Sequence, residues 1–244
     1  DYKNKEPVAK MLRFASTQQP EGQTVTLSDY ISRMKPEQKS IYFVTADTLA
    51  AAKNSPQLEG FVAQGFEVLL LTDRIDEWLT SHLQEFDGKK IESVARSAKD
   101  IESAIETPDK AANEDAFKST LERLKTALGG KISAAKLSAR LTESPACLVT
   151  REFVISMGME RMMKAAAQAS PFGGQPVFEI NAGHPLVQRL KDISDDTAFA
   201  ALAGLLHDQA VLAEGGQLED PASFVKQLNK LILAGLSEAP RIVV

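Results

Sequence analysis

The chain is predicted to be α/β and α+β: a small parallel-sheet α/β unit, then a mixed domain with a short sheet and a C-terminal helical hairpin. Three observations predict this. Two strand-length runs of apolar, β-branched and aromatic residues, 40–45 (SIYFVT) and 66–71 (FEVLLL), are separated by helix-forming sequence. A polar and charged stretch at 96–115 then interrupts the hydrophobic pattern. Two long segments of helical periodicity close the chain, with glycine and proline signals between them.

In order, 27–34 (LSDYISRM) reads as a short helix, 40–45 as a strand and 47–53 as a helix. Ser55 followed by Pro56 is a cap and an N1 proline, which open a helix that stops at Gly65. The run 66–71 is a second buried strand. Strand, helices and strand make a right-handed parallel crossover the default. Residues 73–83 (DRIDEWLTSHL) follow as a helix at the strand's carboxyl end. The domain limits read as 1–98, a charged linker over 99–115, and 116–244.

Past the linker, a helix runs to about Leu128 and stops at Gly129-Gly130. Residues 132–139, 146–150 and 176–180 read as strands, with a Met-rich helix between the second and third. Asp195 and Asp196 favour a helix start, and Phe199, Leu202, Leu205, Leu206 and Leu212 run along the helix to Gly215-Gly216. Asp220-Pro221 restarts a helix carrying Phe224, Leu228, Leu231 and Ile232. This antiparallel hairpin is expected to join a second copy in a four-helix bundle; the alternative is packing on the chain's own sheet.

Four of the six methionines, Met157, Met159, Met162 and Met163, fall together. Ile155, Met159, Met162 and Met163 share one helical stripe, which is either core or an adaptable apolar binding face, because unbranched Met repacks around varied partners. Trp78, the only tryptophan, is likewise either core or an exposed anchor.

A net charge of −5 gives no reason to expect a nucleic-acid partner. No stretch approaches the ~20 apolar residues of a membrane span, and no signal peptide opens the chain. The single Cys147 excludes an internal disulfide and fits a reducing compartment. Beginning at Asp1 in helix-like sequence, the chain reads as a piece of a longer protein. Gly129-Gly130-Lys131 lacks the frame of a phosphate loop, and His82, His184 and His207 lack metal-ligand spacing, so no metal is expected. Asp73, Asp76 and Glu77 stand at a strand's carboxyl end, where open α/β sheets place ligands. First-turn carboxylates are more often macrodipole partners.

The motifs DYISRMK, SIYFVTADTLAAAKNSPQLE and GFEVLLLTDRIDEWL, with RLTESPACLVT, MERMMKAAA and FEINAGHPLV further on, are very similar to the ninety-kilodalton heat-shock chaperone family, in its bacterial branch. The resemblance covers nearly the whole chain. It implies the distal part of the middle domain plus the dimerisation domain of an ATP-driven, homodimeric, cytosolic chaperone. ATP and magnesium would bind an upstream domain, so this fragment would hold no cofactor and perform no catalysis. By the same resemblance, Glu77 and Trp78, with Ile155, Met159, Met162 and Met163, correspond to the family's client-binding surface. Expected partners are a second copy, unfolded or partly folded proteins, and other chaperones. The tail SEAPRIVV lacks the acidic peptide that docks helical-repeat cochaperones. Two other readings stay open: a small-molecule enzyme using Asp73, Asp76 and Glu77, or a purely structural dimerisation module.

Overall fold

The computed structural model describes residues 5–96, 110–149 and 174–238. The Met-rich stripe Ile155, Met159, Met162 and Met163 lies outside them.

In the first unit, β2 (Ile41–Thr45) lies between β3 (Val68–Leu71) and β5 (Lys89–Ser93), parallel to both. The parallel crossover expected from the sequence is present, with Phe43 opposite Leu69. Strand alternation sends Ile41 and Phe43 into one apolar cluster and Tyr42 and Val44 into another. Both faces are covered, which is why these strands read as unbroken apolar runs rather than alternating ones.

The edges were not read from the sequence. β1 (Ala15–Ser16) pairs antiparallel to β3, and β4 (Glu85–Phe86) pairs antiparallel to β5. β5 is charged, as an edge-proximal strand is permitted to be, so it carries no hydrophobic signal. Its turn did carry one: Asp87 and Gly88 both have positive φ, at 48° and 71°, the Asp-Gly pair of a tight hairpin.

Helix starts follow their caps. Thr26 and Asp29 form a reciprocal capping box on Leu27–Arg33, and Thr48 caps Leu49–Lys53. Ser55 and Pro56 open a 3-10 turn, Pro56–Leu58, that runs into the helix Glu59–Ala63, and Gly65 at φ 68° ends it. The helix over Asp76–His82 starts three residues later than the sequence suggested.

The second unit is a three-stranded sheet in the order β6 (Ala134–Leu137), β8 (Val177–Ile180), β7 (Ala146–Val149), with β8 parallel to β6 and antiparallel to β7. Two long helices, Lys110–Leu128 and Asp196–Ala213, bury Phe117, Leu124, Phe199 and Leu206 against one sheet face. The first of these helices begins at Lys110, inside the stretch read as linker, because KAANED is polar yet rich in helix-forming Ala.

Part of the expected dimer interface also packs within this chain. Phe199, Leu205 and Leu206 are buried within this chain, and Leu202 packs against the same core. The stripe of Asp196–Ala213 covers its own sheet, the alternative the sequence had left open. Phe224 and Leu228 are half-buried, whereas Leu212, Leu231 (48%) and Ile232 (50%) are exposed.

The units meet through buried polar groups. Arg140, 2% exposed, donates to Glu179 Oε2 at 3.1 Å and to Val94 O at 2.6 Å. Glu59 Oε2 accepts the backbone N–H groups of Thr142 (2.6 Å) and Glu143 (2.8 Å), while its Oε1 accepts that of Ser144 (3.0 Å). Burial opposes ionisation of Glu59, but these bonds together hold its pKa below the usual value. Beside them, a Cβ on Gly60 would come within 2.8 Å of Arg140 Cα. The small residue permits the close approach of these two backbone segments.

Candidate functional site

The helix Asp76–His82 carries Trp78 at 58% exposure, and Ile75 just before it is 72% exposed. Two large apolar side chains thus stand together in solvent on a short helix. The helix is held firmly. Asp73 N–H donates to Asp76 Oδ2 at 2.9 Å, closing the first turn, and Thr80 Oγ1 donates to Asp76 O at 2.9 Å. The Trp78 ring stacks on His82, with centroids 5.8 Å apart and planes 9° from parallel. Ser81 Oγ donates to Trp78 O at 2.8 Å. Trp78 is therefore an exposed, pre-positioned ring rather than core, which answers the choice the sequence left open.

Behind this helix, a cleft of about 500 Å³ opens at the carboxyl ends of β2 and β3. Thr45, Asp47, Thr72, Asp73 and Glu77 line it from the first unit, and Ala213, Glu214 and Gly215 from the second. The site therefore joins both units: Glu77 turns toward the cleft and Trp78 to solvent. The sequence flagged Glu77 and Trp78 but missed Ile75, an apolar residue between charges in DRIDEW that could have been noticed. It also missed Glu214, whose approach across more than a hundred residues leaves no local signal.

The carboxylates are occupied structurally. Asp76 is buried and closes its own helix turn; burial raises its pKa, and the bond from Asp73 N–H offsets this only in part. Asp73 Oδ2 accepts from Gln23 Nε2 at 3.0 Å. The histidines serve locally too. His184 Nδ1 accepts Leu186 N–H at 3.1 Å, capping the helix Pro185–Asp192. His207 is buried beside Phe178 and pairs with Asp208, and burial lowers its pKa. Among the described residues no group of three or more His, Cys, Asp or Glu could hold a metal ion, and no helix is long and apolar enough to cross a membrane. Cys147 is buried, which raises its thiol pKa well above the usual value.

Comparison with known proteins bears on this arrangement over nearly its whole length. The family model described as "Hsp90 protein" matches residues 1–242. The chain is 54% identical over 237 residues to the "Chaperone protein HtpG" of Chromobacterium violaceum, covering 96% of this chain and 37% of that protein. It is 52% identical over 236 residues to the protein of the same name from Methylococcus capsulatus, covering 95% of this chain and 37% of that protein. The Burkholderia lata protein of that name is also 52% identical, over 96% of this chain and 37% of its own length. The chain thus spans little more than a third of the length of these relatives. With a family match across almost every residue and half the positions identical, the chain belongs to the Hsp90 family.

Proposed function

We propose that this chain is the client-contact and self-association part of an ATP-dependent molecular chaperone that assists protein folding. In this reading residues 1–98 are the distal middle domain, 99–115 the connector and 116–244 the dimerisation domain. The parent protein works in the cytoplasm as a homodimer. ATP and magnesium act in its upstream domain, and this part contributes binding alone.

The observation that carries the reading is the exposed pair Ile75 and Trp78, at 72% and 58%, on a helix braced from beneath. Isolated exposed apolar residues are ordinary, but a large aromatic with an aliphatic neighbour at the rim of a cleft is the usual anchor of a binding surface. Apolar segments of a partly folded protein that cover these side chains gain ~25 cal/mol per Å² buried. Glu77 lies on the cleft side of the same helix. The stripe Ile155, Met159, Met162 and Met163 supplies the adaptable half of the surface in this reading, as expected from the family resemblance. The enzyme alternative is disfavoured by the geometry, because the Asp76 carboxylate closes its own helix turn and that of Asp73 accepts from Gln23.

The test is binding of a fluorescently labelled, permanently unfolded protein, read by anisotropy. Trp78→Ala should weaken binding by roughly tenfold or more, as loss of an anchor does. Its melting temperature should stay within a few degrees, because exposed substitutions usually change stability by about 0.5 kcal/mol or less. Unchanged affinity would remove Trp78 from the binding surface.

A further inference from the structure

Trp78 and His82 stand four residues apart on the helix Asp76–His82, so their side chains share one face. Both are exposed, and no surrounding core fixes either ring. The rings nevertheless run parallel, with planes 9° apart and centroids at 5.8 Å, as an offset stack. Something must hold the imidazole in that plane.

Three polar atoms do so. His82 Nδ1 lies 2.8 Å from Trp78 O and 2.9 Å from Ser81 Oγ, and Ser81 Oγ lies 2.8 Å from Trp78 O. A carbonyl oxygen can only accept a hydrogen bond. With the imidazole proton on Nε2, the bare Nδ1 lone pair would face that carbonyl, and one hydroxyl hydrogen would have to serve all three contacts. With the proton on Nδ1, both Nδ1–H and the Ser81 hydroxyl donate to Trp78 O, and Ser81 Oγ shares the imidazole hydrogen. The contacts therefore select the Nδ1–H tautomer.

We propose that His82 is the positioning residue of Trp78: locked as the Nδ1–H tautomer onto the backbone of Trp78 itself, its imidazole fixes the indole in the orientation offered to client proteins. One ring thus grips the same residue twice, by its carbonyl and by its side chain. An exposed side chain loses rotamer freedom when a partner immobilises it, and a side chain already set in place loses less. Positioning shows as tighter binding without any new contact to the client. The consequence for clients depends on Trp78 being a contact residue; the lock itself does not.

Three measurements on the full chain test this. Nitrogen NMR of the imidazole at alkaline pH, on the unaltered protein, should find the His82 proton on Nδ1. Trp78 is the only tryptophan, so time-resolved anisotropy of tryptophan emission reports this ring alone. His82→Ala should add a fast component that the wild type lacks. The same change should weaken binding of fluorescein-labelled, reduced and carboxymethylated lactalbumin by roughly threefold, less than Trp78→Ala does. His82→Phe can still stack, and it should restore most of the order and of the affinity. A proton on Nε2, or indole motion unchanged in His82→Ala, would overturn the lock. If Trp78→Ala loses affinity but His82→Ala does not, or if His82→Phe restores nothing, the positioning role fails while the client surface stands. If Trp78→Ala itself binds normally, the contact reading fails, and the NMR and anisotropy still decide the lock.

Discussion

Arg140 Nε donates to Glu179 Oε2 across 3.1 Å, and both side chains are almost completely withdrawn from solvent, at 3% and 7% exposure. The same guanidinium reaches out of its own sheet to Val94 O and Arg96 O, at the end of the first unit. One charged group thus satisfies a buried carboxylate within the second unit and two backbone carbonyls of the first.

Removing it should be costly. Among the described residues, Arg140→Ala leaves Glu179 buried with Ser138 Oγ as its remaining side-chain donor, at 2.9 Å. Stranding one member of a buried ion pair typically costs ~3–5 kcal/mol. Calorimetry should show a melting temperature many degrees lower, and the double change Arg140→Met/Glu179→Leu should recover much of the loss. A single variant no less stable than the double would mean that the pair contributes little.

The Glu59 contact should respond to acid. Its folded pKa lies below the ordinary 4.5 because the N–H bonds from Ser144, Glu143 and Thr142 outweigh burial. A depressed carboxylate contributes stability that is present above its unfolded pKa and lost as pH falls through the folded one. Urea unfolding should therefore weaken below about pH 4.5 more steeply in the wild type than in Glu59→Gln. Parallel pH profiles would assign the acid sensitivity elsewhere.

Self-association should separate by residue. Leu206 lies in the chain's own core, whereas Leu231 and Ile232 are exposed on the helix Pro221–Glu238. Leu206→Glu buries an unpaired charge and should unfold the second unit. Leu231→Glu with Ile232→Glu should leave folding intact and convert a dimer to monomer in light scattering. A dimer that survives the double change would place its interface away from this helix.

The residues that could be read in advance were those whose signals are local. Ile41–Thr45 and Val68–Leu71 announced themselves because both faces of a parallel strand are buried, and Ser55-Pro56 and Asp195 announced helix starts because a cap acts within three residues. Strand β5 did not, since Lys89, Lys90 and Glu92 give no hydrophobic pattern, and the Asp87-Gly88 turn, a local signal of the hairpin, went unread. Trp78 could be singled out as the sole tryptophan, but its exposure could not be read, because a binding anchor and a core ring have the same composition.

By itself the sequence determined the two-unit α/β and mixed organisation, the parallel crossover and the family, all of which follow from periodicity, capping and long shared motifs. Tertiary structure alone decided which side of each apolar stripe is covered. Phe199 and Leu206 share a helical stripe that could face a second copy, and the sheet formed by β6, β8 and β7 claims them first. It alone also decided the polar contacts, bringing Glu59 to Thr142, Arg140 to Val94 and Gln57 to Leu148. Helical and strand periods report a residue's orientation to its own backbone axis, whereas partners more than forty residues away are chosen by how the elements pack.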